Sequence, residues 1–180
     1  MPDALSQSLR DWQNFYLLIG GAAASLTGLM FVAISLGSGA ITQKNVHALR
    51  VFVSPTLIHF IYVLATALVV VIPTVTRTRL GILLLLVGVI STGRSITMVP
   101  FMRGQHRQQV IDIHDWTWYL AAPTVSYLVF VGTGVGLLLR VRQALDGLAL
   151  ASILLLVAGI RNAWDFVTYL ILRQNEPPRS

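Results

Sequence analysis

The chain has 180 residues, of which 55% are hydrophobic and only 11% charged, and its mean hydropathy is +0.73. Because soluble domains carry about 25% charged residues, this composition predicts an integral membrane protein. The chain has no cysteine, which excludes disulfides, thiolate nucleophiles and cysteine-ligated metal sites. A net charge of +6 is typical of basic loops beside a membrane. The chain has no basic run with interleaved aromatic residues, so a nucleic-acid partner is not expected.

Five apolar runs have roughly the 20 residues that a helix needs to cross a bilayer about 30 Å thick. They cover residues 14–36, 55–73, 80–99, 118–139 and 148–172. Short basic turns join the second run to the third and the fourth to the fifth, so each of these pairs should form a tight helical hairpin. The polar stretches are too short to bury a core of their own. The predicted fold class is therefore all-α, with five transmembrane helices forming one domain over residues 1–180.

The first run contains small residues at the spacing of a helix-packing motif. Gly20, Ala24 and Gly28 are four residues apart, which places them along one face and allows another backbone to approach closely. Gly132 and Gly136 in the fourth run form a second, shorter example. A helix of the same chain is the favoured partner for the first face, and a helix of another copy is the alternative.

The stretch "YLLIGGAAASLTGLMFVAISL", residues 16–36, followed by four further runs, resembles the opening of a group of small, uncharacterised bacterial multi-pass membrane proteins. The resemblance covers the first run well and the remainder by the number of runs. It implies a bacterial inner (cytoplasmic) membrane protein, and it implies no particular activity.

The two hairpins also resemble each other. "HALRVFVSPT", residues 47–56, and "HDWTWYLAAPT", residues 114–124, each precede an apolar run, a basic turn and a second leucine-rich run. A duplication would give one helix plus two repeated hairpins, with Pro55 and Pro123 at the entry or first turn of equivalent helices. The alternative is that any two leucine-rich hairpins look alike, and duplication is only slightly favoured.

Three charged residues lie inside apolar runs. Arg161 and Asp165 are four residues apart and can pair on one helix face, and alignment of the hairpins places Arg94 at the depth of Asp165. The favoured interpretation is a clamp between the third and fifth helices, followed by snorkelling to the interface and then by an anion or substrate site. His59, near the start of the second run, is a packing residue or, less often, a proton relay.

The polar stretch 103–115 contains residue types that bind metals, namely His106, Asp112, His114 and Asp115. Their spacing matches no metal-binding motif, so a hydrated loop without metal is the favoured interpretation. No nucleophile elbow, phosphate-binding loop or zinc-protease motif occurs in the chain. The sequence therefore predicts a protein that is not an enzyme and needs no cofactor.

Two functions from different classes remain. The first is a non-catalytic protein of the lipid bilayer that forms a homo-oligomer or binds another membrane protein through its small-residue faces. The alternative is a small channel or transporter for an ion or small anion, using Arg94, Arg161 and Asp165.

Basic residues beside the runs set the expected orientation. Five lie on the N-terminal side and six on the other, and the two intramembrane arginines lie nearer the second side. This balance favours an external N-terminus and a cytoplasmic C-terminus.

Overall fold

The computed structural model describes residues 4–37, 46–107, 117–141 and 143–174, and every regular element in these ranges is helical. A π-helical turn, Thr117–Ala121, leads directly into the fourth helix. The five long helices are α1 (Ala4–Leu36), α2 (Val46–Val71), α3 (Arg77–Arg107), α4 (Ala122–Leu138) and α5 (Ala144–Gln174). The all-helical prediction is confirmed for this part of the chain.

The helices contain nearly all of the predicted apolar runs and extend beyond several of their ends. Because α3 continues to Arg107, the first part of the stretch 103–115, including His106, is helical, and its prediction as a loop was wrong. Asp112, His114 and Asp115 lie outside the described residues.

Four of the helices are long and apolar enough to cross a membrane, and the apolar part of the remaining helix, α2, is shorter. The apolar part of α2, Pro55–Val71, is about 25 Å long at the α-helical rise, a few ångströms less than the hydrocarbon core. The four longer spans are Arg10–Leu36, Arg77–Thr97, Thr117–Leu138 and Ala144–Thr168. These lengths are those of a multi-pass membrane protein.

Neighbouring helices run in opposite directions, and they pack in the spatial order α1, α2, α5, α4, α3. The predicted tight hairpin is present for α4 and α5, which pack along each other. The predicted hairpin of α2 and α3 was wrong. The short turn 72–76 joins these two helices, but they do not pack closely against each other. Because α3 packs on α4 and α2 packs on α5 instead, α2 and α3 diverge away from their turn.

The turn between α4 and α5 shows how the chain reverses tightly. Arg140, two residues after the last residue of α4, adopts a left-handed conformation with φ of 60°. The amide of Val141 donates to the carbonyl of Gly136 at 2.8 Å, and the amide of Arg140 donates to the carbonyl of Leu137 at 3.2 Å. This pair of bonds is the Schellman pattern, which satisfies the last carbonyls of a helix.

The two prolines occupy different positions in their helices. Pro123 lies in the first turn of α4, as predicted, but the π-helical turn Thr117–Ala121 precedes it without a break. Pro55 lies well inside α2, which begins at Val46, so its prediction at the helix entry was wrong. A proline inside a helix removes one backbone hydrogen bond and bends the helix.

The buried core follows the centre of the bundle, where α5 lies. Half of the residues in the α5 span are buried, against 22% in the α1 span. Phe130 and Leu155 have no exposed surface, and a second apolar cluster packs Phe60 and Phe166 against Met30 of α1. Helix α1 is therefore attached to one side of the bundle, and most of its surface faces outward.

Candidate functional site

A small cavity opens where α2 and α3 diverge, against the π-helical turn and the first part of α4. Its volume is about 70 Å³, which accommodates a few water molecules. Its apolar lining is Pro55, Ile58, Leu120 and Pro123, and its polar lining is His59, Tyr62, Ser91, Arg94, Ser95, Tyr119 and Tyr127.

Two of the polar lining groups are buried and have no hydrogen-bond partner in the described part of the chain. They are the Nδ1 atom of His59, a residue that is 3% exposed, and the Oγ atom of Ser91, a residue that is 2% exposed. Buried polar atoms in folded proteins are nearly always hydrogen-bonded, because leaving one unpaired costs about 1–3 kcal/mol. The cavity therefore presents polar atoms that a polar ligand would satisfy.

Aromatic contacts hold the wall of the cavity in place. The rings of Tyr62 and Tyr127 meet edge to face, with centroids 5.6 Å apart and an interplanar angle of 85°. The His59 imidazole lies 6.3 Å from the Tyr127 ring. Both contacts join α2 to α4, and the Tyr62–Tyr127 contact has the edge-to-face geometry that aromatic rings prefer.

The predicted pair on α5 is present beside this cavity. Arg161 donates from Nη1 to Oδ1 of Asp165, and the two side chains are 38% and 28% exposed. The hydroxyl of Tyr119 donates to the other carboxylate oxygen, Oδ2, at 3.5 Å. The carboxylate thus connects α5 to the π-helical turn, and the positive charge beside it comes from its own helix.

Arg94 lies elsewhere. It is on α3, where it lines the cavity, and the ion pair found among the described residues joins only Arg161 and Asp165. In the packing order α4 lies between α3, which carries Arg94, and α5, which carries Asp165. The structure does not bring Arg94 into a clamp with Asp165.

Sequence reasoning missed Asn162, Ser91, Tyr119 and Tyr127. Asn162 has no exposed surface, and neither Nδ2 nor Oδ1 has a hydrogen-bond partner in the described part of the chain. A signal was present in the sequence, since Ser91 and Asn162 each stand three residues before the intramembrane charge of their own helix.

The small residues singled out from the sequence have different surroundings. A Cβ at Gly20 would lie 2.8 Å from the Cβ of Ala67, so α1 and α2 approach closely there. Gly28 and Gly132 have nothing within 4 Å, and Ala24 is exposed. Gly136 lies at the α4–α5 turn, where an added Cβ would be 3.3 Å from the Cβ of Ala144.

The closest approach between α3 and α4 involves other glycines, which the sequence analysis did not single out. A Cβ at Gly134 would lie 2.8 Å from the carbonyl oxygen of Gly81, and one at Gly88 would lie 2.9 Å from that of Tyr127. These backbone contacts fix α3 on α4 and hence the position of the wall that carries Ser91 and Arg94.

The described residues contain no group of three or more His, Cys, Asp or Glu side chains that could hold a metal ion. The cavity offers hydrogen-bonding groups, an aromatic wall and one positive charge, which suit the binding of a small polar ligand. No family model matches the chain, and comparison with curated proteins and with solved structures gives no match either.

Proposed function

We propose that this protein is a non-catalytic membrane protein that acts by associating with a second copy of itself through the outer face of α1. This outer face consists of Gly21, Ala24, Ser25 and Gly28. All four residues are exposed, and a Cβ at either glycine would meet nothing within 4 Å. That open row of small residues is the observation that carries the proposal.

Transmembrane helices associate by van der Waals packing, which is strongest where small side chains let two backbones approach. Gly21 and Gly28 are seven residues apart, so they differ by only about 20° around the helix and point the same way. Against another copy, the same face on both helices would form a twofold contact in which small residues meet small residues. Packing of this kind requires short side chains on both partners, which supports self-association.

The placement in the cell follows from the apolar helices and from the resemblance of the first run. We propose five crossings of a bacterial inner membrane, with α2 as the short crossing, the N-terminus outside and the C-terminus in the cytoplasm. The helix pairs α2–α3 and α4–α5 are proposed to descend from one duplicated unit, on the sequence similarity of the two segments. The surrounding partner is the lipid bilayer, and no nucleic-acid partner is proposed.

The mass of the assembly in lipid nanodiscs tests this function. The wild-type protein should be dimeric, and Gly28→Leu should be monomeric but still folded, because the new side chain blocks only the outer face. Gly132→Leu is the matched control, since Gly132 is also exposed with nothing within 4 Å but lies on α4. A monomeric wild type, or a Gly28→Leu variant that remains dimeric, would contradict the proposal.

A small channel or transporter is the second candidate, and the cavity with Arg94 beside the Arg161–Asp165 pair is the observation that favours it. Anion flux into liposomes that contain the protein, compared between the wild type and Arg161→Gln, tests this candidate. Flux that depends on Arg161 would replace the first proposal, whereas no flux in the wild type would exclude the second.

A further inference from the structure

We infer that the cavity between α2, α3 and α4 is a binding site for a small monovalent anion. The inference does not depend on association through α1 and stands with or without transport. Among the residues that the structure describes, Arg94 is the one charged residue in the cavity lining, and no described carboxylate lines the cavity. Arg94 is itself exposed, and the described lining supplies no counter-charge for its guanidinium.

The carboxylate of Asp165 is linked to the cavity through Tyr119, and it is already paired. Asp165 accepts a charge-assisted hydrogen bond from Arg161 and a longer one from the hydroxyl of Tyr119. Its negative charge is therefore balanced on its own helix rather than by Arg94. An anion in the cavity would balance the charge of Arg94.

The buried groups supply donors for such an anion. His59 and Ser91 are 97% and 98% buried, line the cavity, and leave Nδ1 and Oγ without a partner in the described residues. A serine hydroxyl can rotate to donate, and a neutral histidine can carry its proton on Nδ1. Together with the guanidinium of Arg94, they offer donors from α2 and from α3.

The size and the charge of the site limit the ligand. A volume of about 70 Å³ with Ile58 and Leu120 in the lining suits an ion of a few heavy atoms, such as chloride, nitrate or formate. His59 and Ser91 are buried and Arg94 is the one described cation in the lining, so a second negative charge placed against these groups would lack a partner, and divalent anions should be rejected.

Anion-dependent thermal unfolding of the purified full chain in a non-ionic detergent tests the inference. Sodium nitrate and sodium chloride should raise the melting temperature in a saturable manner, whereas sodium sulfate at the same ionic strength should not. Arg94→Gln should weaken the apparent affinity about tenfold or more, because a charge-assisted hydrogen bond is lost. Arg79→Gln, an exposed arginine near the other end of α3, is the matched control and should bind as the wild type does.

A second variant tests the site independently of charge. Ser91→Val removes the hydroxyl and fills part of the cavity, so it should abolish the nitrate effect while Arg79→Gln retains it. The absence of saturable stabilisation, equal affinity in Arg94→Gln, or equal stabilisation by sulfate would each overturn the inference. Stabilisation by short-chain phosphatidic acid but by no free anion would also overturn it, since the site would then hold a lipid phosphate.

The measurement separates this inference from the proposed function. Gly28→Leu should bind nitrate with wild-type affinity even when it is monomeric, because the outer face of α1 does not line the cavity. Loss of nitrate binding in Gly28→Leu would overturn the independence of the two sites.

Discussion

Adding one methyl group at Gly88 should separate α3 from α4. An ideal Cβ at this position lies 2.7 Å from Cγ2 of Val131, 2.9 Å from the carbonyl oxygen of Tyr127 and 2.9 Å from the amide nitrogen of Val131. Two of these three atoms belong to the α4 backbone, so a change of rotamer cannot relieve the contact.

The magnitude follows from the displacement that is needed. Moving the backbone atoms from 2.9 Å to the 3.4 Å at which ordinary contact begins requires a shift of about 0.5 Å. Overpacking of this kind costs about 1–3 kcal/mol, and the higher helix propensity of alanine returns at most about 1 kcal/mol. With the full propensity gain subtracted, Gly88→Ala should lower the free energy of unfolding by about 0–2 kcal/mol, and by about 1–3 kcal/mol relative to an alanine substitution without the clash.

Gly93 provides the matched control, because it is on the same helix and nothing lies within 4 Å of its added Cβ. Gly93→Ala should be neutral or slightly stabilising. Both variants can be compared with the wild type by reversible unfolding in mixed micelles of non-ionic detergent and dodecyl sulfate. If Gly88→Ala proves as stable as Gly93→Ala, then α3 and α4 do not approach as described.

Two further predictions concern contacts of α5. Gly159→Ala should destabilise the fold, because the new Cβ would lie 2.5 Å from the ring of Phe60. Phe60→Leu should lower the free energy of unfolding less in the Gly159→Ala variant than in the wild type, because it relieves this contact. Asp165→Asn should cost about 1–2 kcal/mol, since the paired side chains are partly exposed, and Arg161→Gln added to it should recover part of the loss. The exposed Asp146→Asn is the control for the second prediction, and both are measured by the same unfolding assay.

The sequence was sufficient to predict the helices because their length and composition are local properties. Run length alone located all five, since the bilayer requires about 20 apolar residues per crossing. The Arg161–Asp165 pair was equally predictable, because residues four apart on one helix are neighbours in any fold that keeps the helix. Pro55 was misplaced because α2 extends well before its most apolar part.

The packing partners were not predictable from the same patterns. Residues four apart turn by about 40° relative to one another, so Gly28 lies about 80° around α1 from Gly20 and leaves the contact with α2. Gly81 and Gly88 are seven apart and differ by only about 20°, so both stay against α4.

The position of Arg94 in the cavity was likewise not predictable from the sequence. Aligning the hairpins gives the depth of a residue in the membrane but not the direction in which its side chain points. The direction depends on α3 packing on α4 rather than on α2, which places Arg94 at the cavity and leaves α4 between α3 and α5. The cavity itself arises from that divergence of α2 and α3, which a short turn in the sequence does not reveal.

The most direct test of the membrane architecture is the side from which single cysteines react with a membrane-impermeant maleimide. The native chain has no cysteine, so each introduced thiol reports alone. Cysteines replacing Gln7, Thr78 and Gln143 should react from one side, and those replacing Gln105 and Gln174 from the other. If the short apolar part of α2 did not cross, position 78 would react from the side opposite to position 7, and the account of five crossings would be wrong.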